Sequence, residues 1–162
     1  RHSLTDEIYQ TIEGTTDSEH AFAVFLNLLG RHTEKLGAAN LASGLVKTIR
    51  QLEEWANEAG IKKPSIYNFA VTDGENLVTV RYVSNPQIEP ISLYFSNRGR
   101  YMYREGKFEI VESDSERSGI IIASERLTDD STSWNRVAPN HVVIVDSRLD
   151  VMVQLLPNVR VS

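Results

Sequence analysis

Cysteine is absent from all 162 residues, which excludes a disulfide framework and leaves the redox compartment open. Basic residues are outnumbered, 17 Lys and Arg against 22 Asp and Glu, for a formal net charge of -5. A general nucleic-acid binder needs a basic face to meet phosphate, so that class is not expected. No apolar run reaches the ~20 residues that a membrane-spanning helix requires, and no membrane association is expected either. Catalytic signatures are also missing. There is no Gly-x-Ser-x-Gly nucleophile elbow and no glycine-rich phosphate loop, since Asn97-Arg98-Gly99-Arg100 carries a single glycine and reads as a strand connection. His2, His20, His32 and His141 include no His-x-x-x-His pair, so no metal site is expected. Lys62-Lys63 beside Pro64 reads as a solvated turn.

What is present is a chain that is 41% hydrophobic, enough for one domain with a sizeable core, with no internal repeat and no linker to divide residues 1–162. Helical periodicity comes first. A short helical turn is expected over 3–9. A longer helix is expected over 17–29, where Phe22, Phe25, Leu26 and Leu29 recur at i, i+3, i+4 and i+7. Residues 30–33 break it. A second helix carries the stripe Leu41, Leu45, Ile49, Leu52, Ala56 and Ala59 and ends at Gly60, with Lys47, Arg50, Glu53 and Glu54 on a solvated face. The two helices are expected to form one antiparallel layer.

From residue 65 the period becomes that of strands, expected over 65–72, 77–82, 91–95, 107–111, 119–123, 141–145 and 151–155. Asp73-Gly74 and Asp146-Ser147 supply turn chemistry. Polar stretches over 112–117 and 129–133 read as mobile loops. Trp55 and Trp134, the latter expected in a loop, are taken as packing residues. Helices segregated from antiparallel strands define an α+β class.

The candidate for chemistry is the stretch Gly14-Thr15-Thr16-Asp17-Ser18-Glu19-His20, at the mouth of the first long helix. Thr16 at the N-cap and Glu19 three residues on have the spacing of a capping box. Capping accounts for both, and the positive end of the helix dipole accounts for an acidic residue in the first turn. Asp17 is nonetheless left over, a carboxylate suited to hold a cationic group through charge-assisted hydrogen bonds. His20, in the same turn, is more readily a surface residue.

In this order, Thr16-Asp17-Ser18-Glu19, the run from Phe69 to Tyr82 through Asp73-Gly74, and Ala123-Ser124-Glu125 after the apolar Ile120-Ile121-Ile122 resemble the class II glutamine amidotransferases. The wording is most like the stand-alone forms of fungal glutathione degradation and of the bacterial ergothioneine pathway. The resemblance implies an N-terminal-nucleophile hydrolase with a four-layer αββα sandwich, two antiparallel helices followed by antiparallel strands. Such an enzyme acts on the side-chain amide of glutamine or on a γ-glutamyl linkage, with no cofactor and in the cytoplasm. It uses an N-terminal Cys, an Asn-Gly oxyanion pair, an Arg for the substrate carboxylate and an acidic residue for its ammonium. Only the last has a counterpart here, Asp17, with Thr16 and Gly14 beside it as substrate-binding candidates. Ser124 and Glu125 are candidates for support of the pocket wall.

With no cysteine, no catalytic residue is expected in this chain. Residues 1–162 then read as the C-terminal portion of a single amidotransferase domain, its thiol supplied by an upstream segment. That segment is one expected partner and a peptidase-like subunit, by analogy with the fungal relatives, another. The alternative is an amidotransferase-like interaction subunit without catalysis.

Overall fold

A computed structural model describes residues 4–30, 37–113 and 118–157. The chain forms two compact units, one built from residues up to Lys63 with Leu156 belonging to it, the other from Pro64–Leu155.

The first unit is helical. α1 (Asp6–Tyr9) starts at the N-cap Thr5, whose side chain accepts from Ile8 N, and Thr5 N donates to Asn27 Oδ1 at 3.0 Å, tying α1 to the next helix. α2 (Asp17–Leu29) has the expected bounds and ends at Gly30, which takes a positive φ of 76°. α3 (Ala38–Glu58) is 21 residues long and is followed by Gly60 at φ 69°, the left-handed position that terminates helices. At Gly44 α3 packs closely on Phe25 and Leu29 of α2. A Cβ there would lie 3.0 Å from Phe25 Cε2 and 3.1 Å from a Leu29 methyl.

Two expectations for these helices are corrected. Phe22 is 52% exposed and stacks on Phe25 instead of joining the core; the buried residues of α2 are Ala21, Ala23, Val24 and Phe25. The buried stripe is thus rotated toward the small residues, which let the helix approach its neighbour closely. Glu53, assigned to a solvated face, is buried, while Lys47 and Arg50 are exposed as expected. Its position is four residues after Ile49 and three before Ala56, on the edge of the apolar stripe.

The second unit is built of antiparallel strands. β1 (Ile66–Thr72), β2 (Leu77–Val83), β8 (His141–Val145) and β9 (Val151–Leu155) form a sheet in the order β1-β2-β8-β9. Asp73 closes the β1–β2 turn by accepting from Glu75 N and Asn76 N through Oδ1 and from Asn76 Nδ2 through Oδ2, with Gly74 at φ 91°. A three-stranded sheet, β6-β3-β7, comprises β6 (Ile122–Ala123), β3 (Tyr94–Ser96) and β7 (Trp134–Arg136). A buried cluster of Leu93, Val137, Val143 and Val145, with Leu77, Phe95, Ile122 and Val151 packed on it, draws on both sheets.

The α+β class and the antiparallel strands are as expected, with local corrections. The strand expected over 91–95 is observed as Tyr94–Ser96; at Ile91 and Ser92 the carbonyls are taken by the side chains of Arg81 and Asn68 instead of by a strand partner. The strand expected over 119–123 shortens to Ile122–Ala123. Gly99, read as part of a strand connection, opens β4 (Gly99–Arg104), which pairs with β5 (Lys107–Glu112) across Glu105 and Gly106, both at positive φ. Two consecutive positive φ values are the geometry of a tight hairpin turn. Trp134 lies in a strand, buried, with Nε1 donating to Thr128 Oγ1 at 2.8 Å.

The loop expected to be mobile over 129–133 is ordered around Asp130. Its carboxylate accepts from Thr132 N, Thr132 Oγ1 and Ser133 Oγ and caps a 3-10 turn, Ser131–Ser133. Of the other expected loop, 112–117, Glu112 ends β5 and residues 114–117 lie outside the described residues; of the helix break expected over 30–33, Gly30 ends α2 and residues 31–33 lie outside them.

Candidate functional site

In the helical unit the stretch from Glu13 to His20 is tightly cross-bonded. Thr16 caps α2, its Oγ1 accepting from Glu19 N at 3.3 Å. Glu19 does not return to the Thr16 amide, as a capping box would have it. Its Oε1 reaches further back and accepts from Glu13 N at 2.8 Å and Gly14 N at 3.0 Å. Those bonds, with Gly14 first and Glu13 next, hold the Glu19 carboxyl below its ordinary pKa. Gly14 leaves room for this closure, since a Cβ at that position would meet the Glu19 carboxylate and displace it. His20 is exposed and engaged locally, with Nδ1 2.9 Å from Thr16 O.

Asp17 is the first residue of α2 and is exposed. Among the described residues its hydrogen bonds come only from the adjacent Ser18, N at 2.8 Å and Oγ at 3.5 Å, both to Oδ1. The second oxygen is therefore open to a ligand. It sits at the first turn of a capped helix, where the unpaired amides favour an anion. Such a group can take a primary ammonium through short charge-assisted bonds. Gly14 and Thr16 shape the turn that presents it, the Gly14 amide and the Thr16 hydroxyl being committed to Glu19.

In the strand unit Ser124 and Glu125 follow β6 directly, both exposed. Neither side chain makes a hydrogen bond among the described residues, while Ser124 O accepts from Ser92 Oγ at 2.7 Å. The segment leading to Ser92 is held by a residue to which the sequence reading gave no role, Arg81 on β2. Its side chain is 1% exposed. Nε donates to Ile91 O at 2.9 Å, Nη1 to Val137 O at 2.8 Å, and Nη2 to Pro90 O at 2.7 Å and Glu89 Oε1 at 2.6 Å. Arg136 donates to the same Glu89 oxygen at 2.8 Å. The Arg81 hydrogen bond, above all, lowers the Glu89 pKa despite the desolvation that accompanies it. Asn68, opposite Arg81 in the β1–β2 register, donates through Nδ2 to Ser92 O at 3.0 Å. The signal in the sequence was the lone charged residue in the run Leu77–Val83, where an unpaired charge is untenable.

Gly14, Thr16 and Asp17 belong to the helical unit, and Ser124 and Glu125 to the strand unit. The hollow beside β5, lined by Lys107, Phe108, Glu109, Ile110, Asp129 and Asp130, contains none of them. Among the described residues no group of three or more His, Asp or Glu is placed to hold a metal ion, and no helix is long and apolar enough to cross a membrane.

These features stand in a chain whose residues 3–157 match the family model described as class-II glutamine amidotransferases; the chain belongs to that family. It is 33% identical over 154 residues to the probable glutamine amidotransferase DUG3 of Saccharomyces cerevisiae, a match that covers 88% of this chain and 43% of the yeast protein. It therefore spans less than half the length of that relative. A glutamine aminotransferase class-II domain protein from Silicibacter pomeroyi superimposes with a TM-score of 0.66 at 22% identity, over 96% of this chain and 59% of that one, a likeness of fold.

Proposed function

We propose that this chain is the glutamyl-recognition portion of an amidohydrolase that cleaves the γ-amide of glutamine or a γ-glutamyl amide, glutathione-derived peptides included. Asp17 binds the substrate ammonium. The observation that carries this reading is the Asp17 carboxylate itself, exposed at a capped helix start with one oxygen uncommitted. Ser124 and Glu125 form part of the pocket wall. The nucleophile is a cysteine thiolate outside these 162 residues, which have none. It attacks the carboxamide carbon, expels ammonia or an amine, and leaves an acyl-enzyme for water to resolve. In this reading the chain forms part of a four-layer αββα sandwich together with the nucleophile-bearing segment. It works in the cytoplasm without a cofactor, and a peptidase-like subunit is its further partner. The lack of any cysteine equally favours a second reading, an amidotransferase-like subunit that serves only to bind a partner.

Asp17→Asn in an active enzyme that carries this chain with its nucleophile tests the first reading. The change keeps size and most of the capping chemistry but removes the charge, so substrate binding should weaken by about 1.5–3 kcal/mol, the range for hydrogen bonds to charged groups. The unfolding temperature should hardly move. A Michaelis constant equal to that of the parent would assign Asp17 to helix capping alone.

A further inference from the structure

The strand unit contains a continuous hydrogen-bonded path that ends on the Ser124 backbone. It begins at the guanidinium of Arg81, buried in the middle of β2, which fixes three consecutive residues of one segment: Glu89 through its carboxylate, and Pro90 and Ile91 through their carbonyls. A guanidinium suits this because its planar fork of donors serves several acceptors at once, which a lysine ammonium on a flexible stem does not. The next residue, Ser92, is fixed by Asn68 Nδ2 on its carbonyl. Ser92 Oγ then donates to Ser124 O at 2.7 Å. Two residues on, Tyr94 pairs with Ala123 in the small sheet, so the strand that delivers Ser124 is registered to the same segment. Ser96 Oγ takes the Ile121 amide at 2.9 Å and closes the register further back.

The effect is confined to where β6 stops. Ladder pairing ends at Ala123, so beyond it the direction of the chain is set by whatever holds the Ser124 carbonyl. That group is Ser92 Oγ. Ser124 and Glu125 thus present uncommitted side chains on a backbone held from behind, the arrangement of a site wall supported by groups that never meet the ligand.

We propose that Arg81 and Ser92 are positioning residues for the Ser124-Glu125 wall, with Arg81 setting the 89–92 segment and the Ser92 hydroxyl transmitting that setting to the wall. The proposal rests on the reading that Ser124 and Glu125 face the glutamyl substrate.

Because removal of a buried arginine can unfold the strand unit, the informative variant is Ser92→Ala, which deletes one hydroxyl and leaves the Arg81 cluster whole. In an active enzyme carrying this chain, Ser92→Ala should raise KM for glutamine roughly three- to tenfold, the effect of one net hydrogen bond on the placement of the wall, with kcat nearly unchanged. Ser92→Thr, which keeps the hydroxyl, should restore KM. Ser92→Ala combined with Glu125→Gln should raise KM less than the product of the two single effects, since both act on the same wall. If Glu125→Gln raises KM and Ser92→Ala does not, the positioning role is wrong while the wall stands. If Glu125→Gln and Ser124→Ala both leave KM unaltered, the wall itself is wrong and the proposal falls with it. A Ser92→Ala protein that loses thermal stability and kcat together, without rescue by Ser92→Thr, would assign the bond to folding only.

Discussion

At the scale of single residues the chain commits its charges unevenly. Arg81 is buried and bonded through all three of its nitrogens, whereas Glu53 is buried on α3 with no hydrogen-bond partner for Oε1 among the described residues. An unpaired buried polar group destabilises by about 1–3 kcal/mol relative to a satisfied or apolar one. Glu53→Met keeps the length of the side chain and its fit on the apolar stripe, so it should raise stability by about 1 kcal/mol or more, read as a higher denaturant midpoint with unchanged slope. A lower midpoint would mean that Glu53 has a cationic neighbour worth more than its burial penalty. Periodicity alone misplaced this residue, because position 53 lies at the margin between the two faces of α3 and only the packed neighbours decide which side it falls on. Arg81 went unassigned for the related reason that its partners, Glu89 to Ile91 and Val137, are far from it in sequence.

Elements built from local chemistry were the most legible. α2 has the expected bounds because Thr16 and Gly30 mark its ends, and β2 and β8 stand out as long apolar runs between turn residues. β4 and β7 were missed: Glu105-Gly106 is a weaker turn signal than Asn-Gly, and Trp134–Arg136 is a strand by virtue of its pairing with Tyr94–Ser96. The candidate site divides in the same way, with the Asp17 turn readable from caps and the support behind Ser124 invisible before the fold is known. Close packing of α2 on α3 rests on a residue without a side chain, Gly44. Gly44→Val places two methyl groups where a single Cβ already meets Phe25 and Leu29 at about 3 Å, so the variant should lose roughly 1–3 kcal/mol by overpacking. Thermal melts of the purified chain would show it. An unchanged melting temperature would mean that the two helices separate without penalty.

At the scale of the whole molecule, five carboxylates among the described residues titrate below their ordinary range: Glu19, Asp73, Glu89, Asp130 and Asp146. Asp130 is the extreme case, brought to about 2 by the Ser133 hydroxyl first and then by Thr132. A folded-state pKa below the unfolded one contributes stability that is fully present above the unfolded value and is lost as pH falls through the folded value. Stability should therefore be level from neutral pH to about 5 and decline below it. The Asp130 share should disappear between its ordinary 3.8 and about 2. Asp130→Asn should melt earlier than the parent at neutral pH and coincide with it near pH 2, and a constant gap across that window would show that the carboxylate charge is not what holds the turn.

Chemistry is a separate property at this scale. A hydrolysis that proceeds by acyl transfer needs a nucleophile, and among the described residues no serine hydroxyl is hydrogen-bonded to a histidine, His20 and His141 being engaged with the carbonyls of Thr16 and Pro139. Ser92, Ser96 and Ser133 spend their hydroxyls on Ser124 O, Ile121 N and Asp130, and none is bonded to a histidine base. The purified 162-residue chain should accordingly release no glutamate from glutamine or from a γ-glutamyl amide, in a coupled assay sensitive to turnover several orders below ordinary enzymes. Supplying a cysteine-bearing segment that completes the site should produce turnover that iodoacetamide abolishes. Glutamate release by the chain alone, indifferent to iodoacetamide, would show that a hydroxyl or water does the work and that the thiol mechanism does not apply. Completion of the site without turnover, but with tight binding of a second protein, would place the chain among the family's binding subunits.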